Sequence, residues 1–354
     1  MNIRNNQATL SHAARLAFSN AVLTLKTQPS RLTPPTAGRY DDYVWTHLAS
    51  MQSMTMTQPG WAHMGPAFLP WHRYLIRQFE LDLQTLDPTI SLPYWDWTVD
   101  NSSDPNVPGS PWTEDLLGGD GDTQDGFHIV GGPFAGAKGR WTLNLFDDGE
   151  PNDPSLRRNF GSMPANYLPT VQQVNDCLNE APFYIAPWRC APDLMRPNTN
   201  ATQPSFANRL EGWYGPGRIH NNVHVWVSGP AQGSMAWMSS PNDPVFFLHH
   251  CNIDRLWAKW QADHPTEHYY PTGAGGEIGP TGHNLNDPMQ PWGASVTPAS
   301  VIDHVALGYT YDTEPLPLAE VAVRMAALGR AVPRVPFKPQ IAFPRFGFAP
   351  GEAP

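Results

Sequence analysis

The sequence predicts a mainly α fold, with four helices forming the core, long loops and little β structure. Two observations about pattern predict it. Several runs place apolar residues at the spacing of one helix face, and prolines stand where helices can begin or must end. A third observation concerns what lies between these runs. The chain has 39 Pro and 29 Gly, close to a fifth of its 354 residues, and only 15% charged residues. That composition describes a packed core joined by long, stiff loops rather than disorder. The length allows one large domain or two modest ones.

Residues 11–28 show helical apolar spacing at Ala14, Leu16, Phe18, Val22 and Leu25 and stop before Pro29. Residues 39–54 form a second helical candidate with His47 in its interior. A Pro/Gly/Met-rich connection carries His63. The run F-L-P-W-H-R-Y-L-I-R-Q-F-E-L-D-L-Q-T-L then starts a third helix at Pro70, a favoured first-turn position, with His72 in its first turns. P-Y-W-D-W (93–97) reads as an aromatic turn. Residues 98–205 are predicted to be mostly loop. Their G-G-D-G-D (118–122) is no phosphate loop, since no G-K-[ST] follows, and the acidic runs lack the spacing of a calcium loop. A helix near 217–227 carries His220 and His224, and another over 244–263, entered at Pro244, carries His249 and His250. Residues 264–314 return to loop and end in Y-T-Y (309–311). The tail, 315–354, holds one short helical pattern, L-A-E-V-A-V-R-M-A-A-L, before a Pro/aromatic run.

Charge and cysteine content narrow the function classes. A net charge of −10 argues against nucleic acid or an anionic membrane surface as partner. No window of 18 apolar residues exists, so no helical membrane span is expected. The first residues, M-N-I-R-N-N-Q, show no basic-then-apolar signal segment, which gives the expectation of a cytoplasmic protein unless a partner carries it out. Cys177, Cys190 and Cys251 make no disulfide framework; Cys177 and Cys190 could pair in an oxidising compartment or stay two thiols. Fourteen Trp suit an aromatic-walled interior.

The histidines carry the chemistry. His220 and His224 are four residues apart, so on a helix they share a face and can meet at one ion. His249 and His250 point about 100° apart on the next helix, so one of them can supply a third imidazole. His47, His63 and His72 form a matching set in the first half, and packed helices would bring two such sets face to face. Ligand type selects the metal. Di-iron and di-manganese bundles use E-x-x-H pairs, and none flanks these histidines. The zinc motif H-E-x-x-H is also absent, which leaves a dizinc hydrolase as a distant alternative. All-imidazole sites fit a pair of copper ions that cycles between Cu(I) and Cu(II) and binds O2. His12, His128, His264, His268, His283 and His304 are read as core or surface residues without a metal role.

At these residues the chain resembles the tyrosinase family of type 3 copper proteins, specifically its compact bacterial members. F-L-P-W-H-R-Y-L is similar to the family's first copper signature. H-N-N-V-H-V-W with S-P-N-D-P-V-F-F-L-H-H-C-N-I-D-R-L-W is similar to the second. The resemblance runs from the N-terminus to about Tyr311. It implies a four-helix core holding two copper ions, with O2 as co-substrate. It also implies that His47, His63 and His72 bind one ion and His220, His224 and His250 the other, leaving His249 to shape the substrate pocket. Fungal and plant members carry a cysteine that forms a thioether to the second histidine; residues 48–71 here contain none, so none is expected.

Other implied roles follow residue by residue. Glu211 and Asn221 match a pair that holds a water proposed to deprotonate the incoming phenol, chemistry suited to a carboxylate and an amide sharing one water. Val225 matches an activity-modulating position. M-A-W-M (235–238) falls where the family keeps a gate residue, which makes Trp237 a bulky gate that could stack on a phenol ring. Residues 1–314 are then the catalytic domain. Residues 315–354 are an extension that could cover the site with Phe343, Phe346 or Phe348, pack elsewhere on the surface, or join oligomer contacts. A separate helper protein delivers copper in many small bacterial members. The implied activity is ortho-hydroxylation of monophenols and oxidation of o-diphenols to o-quinones. The competing readings are a catechol or o-aminophenol oxidase without the first step, favoured by the bulk of Trp237, and an O2 carrier resembling haemocyanin.

Overall fold

In the computed structural model, which describes residues 2–52, 59–136, 139–189, 204–213, 215, 217–230 and 232–314, helices dominate and strands are two or three residues long. Helix α1 (His12–Thr27) starts where Ser11 Oγ accepts the Ala14 amide, and ends before Pro29, which has no amide to continue it. Helices α2 (Arg39–Gln52) and α3 (Phe68–Leu86) follow it. Pro70 lies inside the first turn of α3 rather than at its start. It lacks only an amide that has no helical partner there, so the helix can begin two residues earlier.

The stretch after α3 holds more order than its composition predicts. Strands β2 (Gly121–Asp122) and β3 (His128–Ile129) make a small antiparallel pair. Helix α4 (Val171–Leu178) is opened by a capping box in which Thr170 and Gln173 bond each other's backbone. Eight residues leave too little periodicity to see without reading that T-x-x-Q signal. Helices α5 (Phe206–Glu211) and α6 (Ile219–Ser228) are joined by a reversal at Gly212, whose φ is +104°. A Cβ there would come within 2.7 Å of the Arg218 carbonyl oxygen, so only glycine fits the turn. Helix α7 (Val245–Asp263) starts after Pro244, and α8 (Pro298–Val301) is a single turn.

Helices α3 and α7 are the axis of the core. Fourteen of the 19 residues of each are buried, far more than one face, so both are wrapped by neighbours. Phe79 of α3 stacks on Phe247 of α7 at 3.6 Å between ring centroids, and Tyr40 and Tyr43 of α2 meet both rings edge-on. Further along, charge does the joining. Asp254 of α7 accepts from Arg73 of α3, from Arg4, and from the hydroxyls of Tyr309 and Tyr311. Arg4 also forks onto Glu80 of α3. Burying these charges is favourable only because each finds opposite charge and hydrogen bonds. The network explains the Y-T-Y run. It forms β4 (Tyr309–Tyr311), which pairs in parallel with β1 (Asn2–Arg4) and brings both ends of the described chain against α3 and α7. Three-residue strands show no alternation to read, so the sequence predicts only loop there.

No helix among the described residues is long and apolar enough to cross a membrane. The helical pattern in the tail lies outside the described residues, as does Cys190 and with it the Cys177–Cys190 pairing.

Candidate metal centre

Helix α6 places His220 and His224 on one face, with ring centroids 4.6 Å apart, and α7 brings His249 and His250 against them. The donor atoms of these four lie within 4.8 Å of one another. Backbone carbonyls decide which nitrogen each ring turns inward. His224 Nδ1 donates to the Met235 carbonyl at 2.9 Å. His220 Nδ1 lies 3.2 Å from the Glu211 carbonyl and 3.1 Å from Asn221 Oδ1. In both rings the proton is held outside and the Nε2 lone pair is left for a ligand. His249 is arranged the other way round. Its Nδ1 faces the Trp97 indole N–H at 3.2 Å and must accept from it, which puts its own proton on Nε2.

The first cluster joins three different segments. His47 rides on α2 and donates from Nδ1 to the Met238 carbonyl at 2.7 Å. His72 rides on α3 and donates from Nδ1 to the Phe68 carbonyl, one turn earlier, at 2.8 Å. His63 stands on the connection between those helices. The donor atoms of the three also lie within 4.8 Å of one another.

The two clusters face each other. His72 and His250 stack at 4.2 Å with an 11° angle, and His63 and His220 lie 6.3 Å apart. Two phenyl rings bridge the halves. Phe68 sits 4.9 Å from both His72 and His220, and Phe246 sits 4.1 Å from His250 and 5.0 Å from His47. Each phenylalanine precedes a histidine of its own helix by four residues, an i, i+4 spacing legible in F-L-P-W-H and F-F-L-H-H.

The donor set fits metal. Buried in this cluster, the imidazoles are driven neutral: desolvation lowers His47 to about 3 and His224 to about 4, and takes His63, His72, His220 and His250 well below the ordinary range. His47, His72 and His224 each bury an Nε2 without a partner among the described residues, and His63 an Nδ1. Orphaned polar atoms at this density are costly unless something binds them. His220 Nε2 and His250 Nε2 lie 3.3 Å apart. Two imidazole nitrogens held by one tetrahedral ion at about 2.0–2.1 Å would be roughly that far apart.

Glu211 and Asn221 both meet His220, through the Glu211 carbonyl and Asn221 Oδ1. Glu211 is buried, and its Oε1 accepts the Met64 amide at 2.8 Å. Asn221 buries an Nδ2 with no partner among the described residues. Val225 is half-buried beside His224. Trp237 is half-buried between two residues whose carbonyls orient clustered imidazoles, Met235 for His224 and Met238 for His47. The loop read as a gate therefore also holds one histidine of each cluster. Of the histidines without a predicted metal role, His12, His128, His264 and His304 bond Asp115, Asp153, the Leu178 carbonyl and Glu314.

Two buried all-histidine clusters, face to face within a helical core, define a dinuclear metalloprotein of the copper kind. Comparison with known proteins agrees. Residues 37–263 match the common central domain of tyrosinase. The chain is 40% identical over 314 residues to a tyrosinase of Streptomyces glaucescens, covering 89% of this chain and all of that one. It is 35% identical over 336 residues to grixazone synthase of Streptomyces griseus, covering 88% and 99%. Its fold is similar to that of a polyphenol oxidase from Thermothelomyces thermophila, with a TM-score of 0.62, 24% identity and 88% of each chain covered. The chain belongs to the tyrosinase family, whose cofactor is a pair of copper ions and whose co-substrate is O2.

Proposed function

We propose that this chain oxidises phenols with O2 at two copper ions, hydroxylating monophenols at the ortho carbon and oxidising o-diphenols to o-quinones. The single observation that carries the reading is the pair of facing, buried imidazole clusters in a chain of this family. His47, His63 and His72 would hold one ion, and His220, His224 and His250 the other. His250 is preferred to His249 because a metal on His249 Nε2 would force its proton onto Nδ1, against the Trp97 indole N–H. The copper pair, when bound, supplies O2 binding and the two-electron exchange that phenol oxidation needs.

The rest of the work falls to the chain's own side chains. A monophenol and one O2 leave as an o-quinone and one water, so the phenolic proton must go to a base. Glu211 and Asn221 are suited to hold a water at that oxygen: one is a buried carboxylate, the other offers a buried amide N–H. Phe68 and Phe246 keep bulk water from the imidazoles. Val225, Trp237 and His249 form the face presented to the aromatic ring. Residues 1–314 make up the catalytic unit in this reading. Residues 315–354 are its extension, a cover for the site, a segment packed elsewhere on the surface or an oligomer contact, and a separate helper protein could deliver copper.

A second reading, an oxidase of o-diphenols or o-aminophenols alone, rests on the bulk of Trp237. Oxygen uptake by the copper-loaded protein on tyrosine, catechol and o-aminophenol separates the two. Uptake on tyrosine, even after a lag, supports the full reaction. Uptake on the other two only would replace it with the second reading, and stable oxygenation without turnover would revive the carrier.

A further inference from the structure

We propose that His283, a histidine about 220 residues further along the chain, is a positioning residue for His63, the one ligand that no helix carries. The inference rests on the dicopper reading above. His63 stands in the segment from Gly60 to Ala67, between α2 and α3, so helical geometry does not aim its ring. Something else has to. The His283 ring is buried against this segment and bonds both of its ends. Its Nε2 donates to the Gly60 carbonyl at 3.0 Å, and its Nδ1 accepts the Ala67 amide at 3.1 Å. One ring thus closes the backbone three residues before His63 and four after it. A neutral imidazole suits the task because it offers a donor and an acceptor on a rigid frame. Burial lowers its pKa to about 4, which keeps it in that form near neutral pH.

The surroundings fit a clamp. Met64, next to His63, has φ +64°, a left-handed conformation that a non-glycine residue keeps only when its neighbours hold it there. Glu211 supplies part of that hold by accepting the Met64 amide. Residue 65 is glycine where a Cβ would come within 2.9 Å of the His283 ring. His283 is itself fixed: its carbonyl accepts the Tyr269 hydroxyl at 2.7 Å and its amide donates to the Pro280 carbonyl at 3.0 Å. The buried ring thus presses on the His63 segment from one side while the Glu211 carboxylate grips it through the next amide.

Without the ring, the His63 segment loses its closing bonds and the first ion loses its third ligand, while the helix-borne second site keeps its own. The test uses the full chain, dialysed against Cu(II), with copper per chain, electron paramagnetic resonance and chelator competition as readouts. Two Cu(II) ions in one coupled site are silent in that resonance, whereas a lone Cu(II) is visible. Wild-type protein is expected to hold two ions and stay silent. His283→Ala should bind one ion about 10- to 100-fold more weakly and show the signal of a lone Cu(II), with far-ultraviolet circular dichroism unchanged. His283→Gln, which can keep a donor toward Gly60, and His283→Asn, which can keep an acceptor toward Ala67, should fall between. They carry the test if the alanine variant does not fold. Folded variants that hold two ions as tightly and silently as wild type would overturn the inference. Failure of wild type to bind copper would overturn the dicopper reading instead.

Discussion

The two clusters present the same kind of donor by different means. In the second, His220, His224 and His250 ride on α6 and α7, and two of the three turn Nε2 inward through backbone carbonyls nearby in sequence, at Glu211 and Met235. In the first, only His47 and His72 ride on helices. His63 stands on an irregular connection held by Glu211 and His283, about 150 and 220 residues further along the chain. A helix aims a ligand with bonds it makes anyway, so spacing alone gives the geometry. A loop has no such bonds, and its ligand is placed by whatever distant groups grip the backbone around it. The second site should therefore tolerate changes in remote loops, and the first should not.

The largest effect expected within the second cluster separates its adjacent histidines. His250→Ala should remove one ion and abolish oxygen uptake on catechol. His249→Ala should keep two ions, because its ring is engaged by Trp97 through the nitrogen a ligand would need protonated. Copper analysis of both variants checks this, and loss of an ion in His249→Ala alone would reverse the assignment. A second change should strike both clusters together. Asp254 joins α3, which carries His72, to α7, which carries His250. Asp254→Asn leaves Arg73 with an uncompensated buried charge, while Arg4 keeps Glu80, and should cost about 3–5 kcal/mol in chemical unfolding. A variant of wild-type stability would mean that packing of Phe79 on Phe247 alone joins these helices.

The same contrast sets how much is legible in the sequence. Helices α2, α3, α6 and α7 announce themselves by apolar spacing and by Pro70 and Pro244, and the His220–His224 pair follows from one turn of helix. His63 is grouped with His47 and His72 as the matching set of the first half, but nothing local in its Pro/Gly/Met-rich run aims a ligand. His283 is not legible at all. A histidine between Gly282 and Asn284 carries no sign that its ring will reach Gly60 and Ala67, and that reading awaits the fold. The β1–β4 pair and α4 were missed for a different reason: at three and eight residues they are too short for periodicity, though the capping box of α4 was there to be read.

Acidity makes the smallest separation between the clusters and the clearest statement about both. The clustered histidines have folded pKa values below the roughly 6.5 of an unfolded chain, at about 3 for His47 and about 4 for His224. Above pH 6.5 they are neutral in both states and contribute no slope. As pH falls below it, the unfolded chain takes up protons that the folded chain refuses, so stability declines toward the folded pKa values. The slope approaches about 1.4 kcal/mol per pH unit for each such histidine. His128, raised by its hydrogen bonds and charge contacts with Asp153 and Asp125 despite some desolvation, works in the opposite sense. It is one partly exposed group, and solvent screens it, so the buried set should prevail. Denaturant unfolding of the metal-free protein should therefore give steadily lower stability from pH 7 to pH 5. A flat or rising profile over that range would mean that the clusters are charged or wet without metal, and that neither helix nor loop holds its imidazoles ready for an ion.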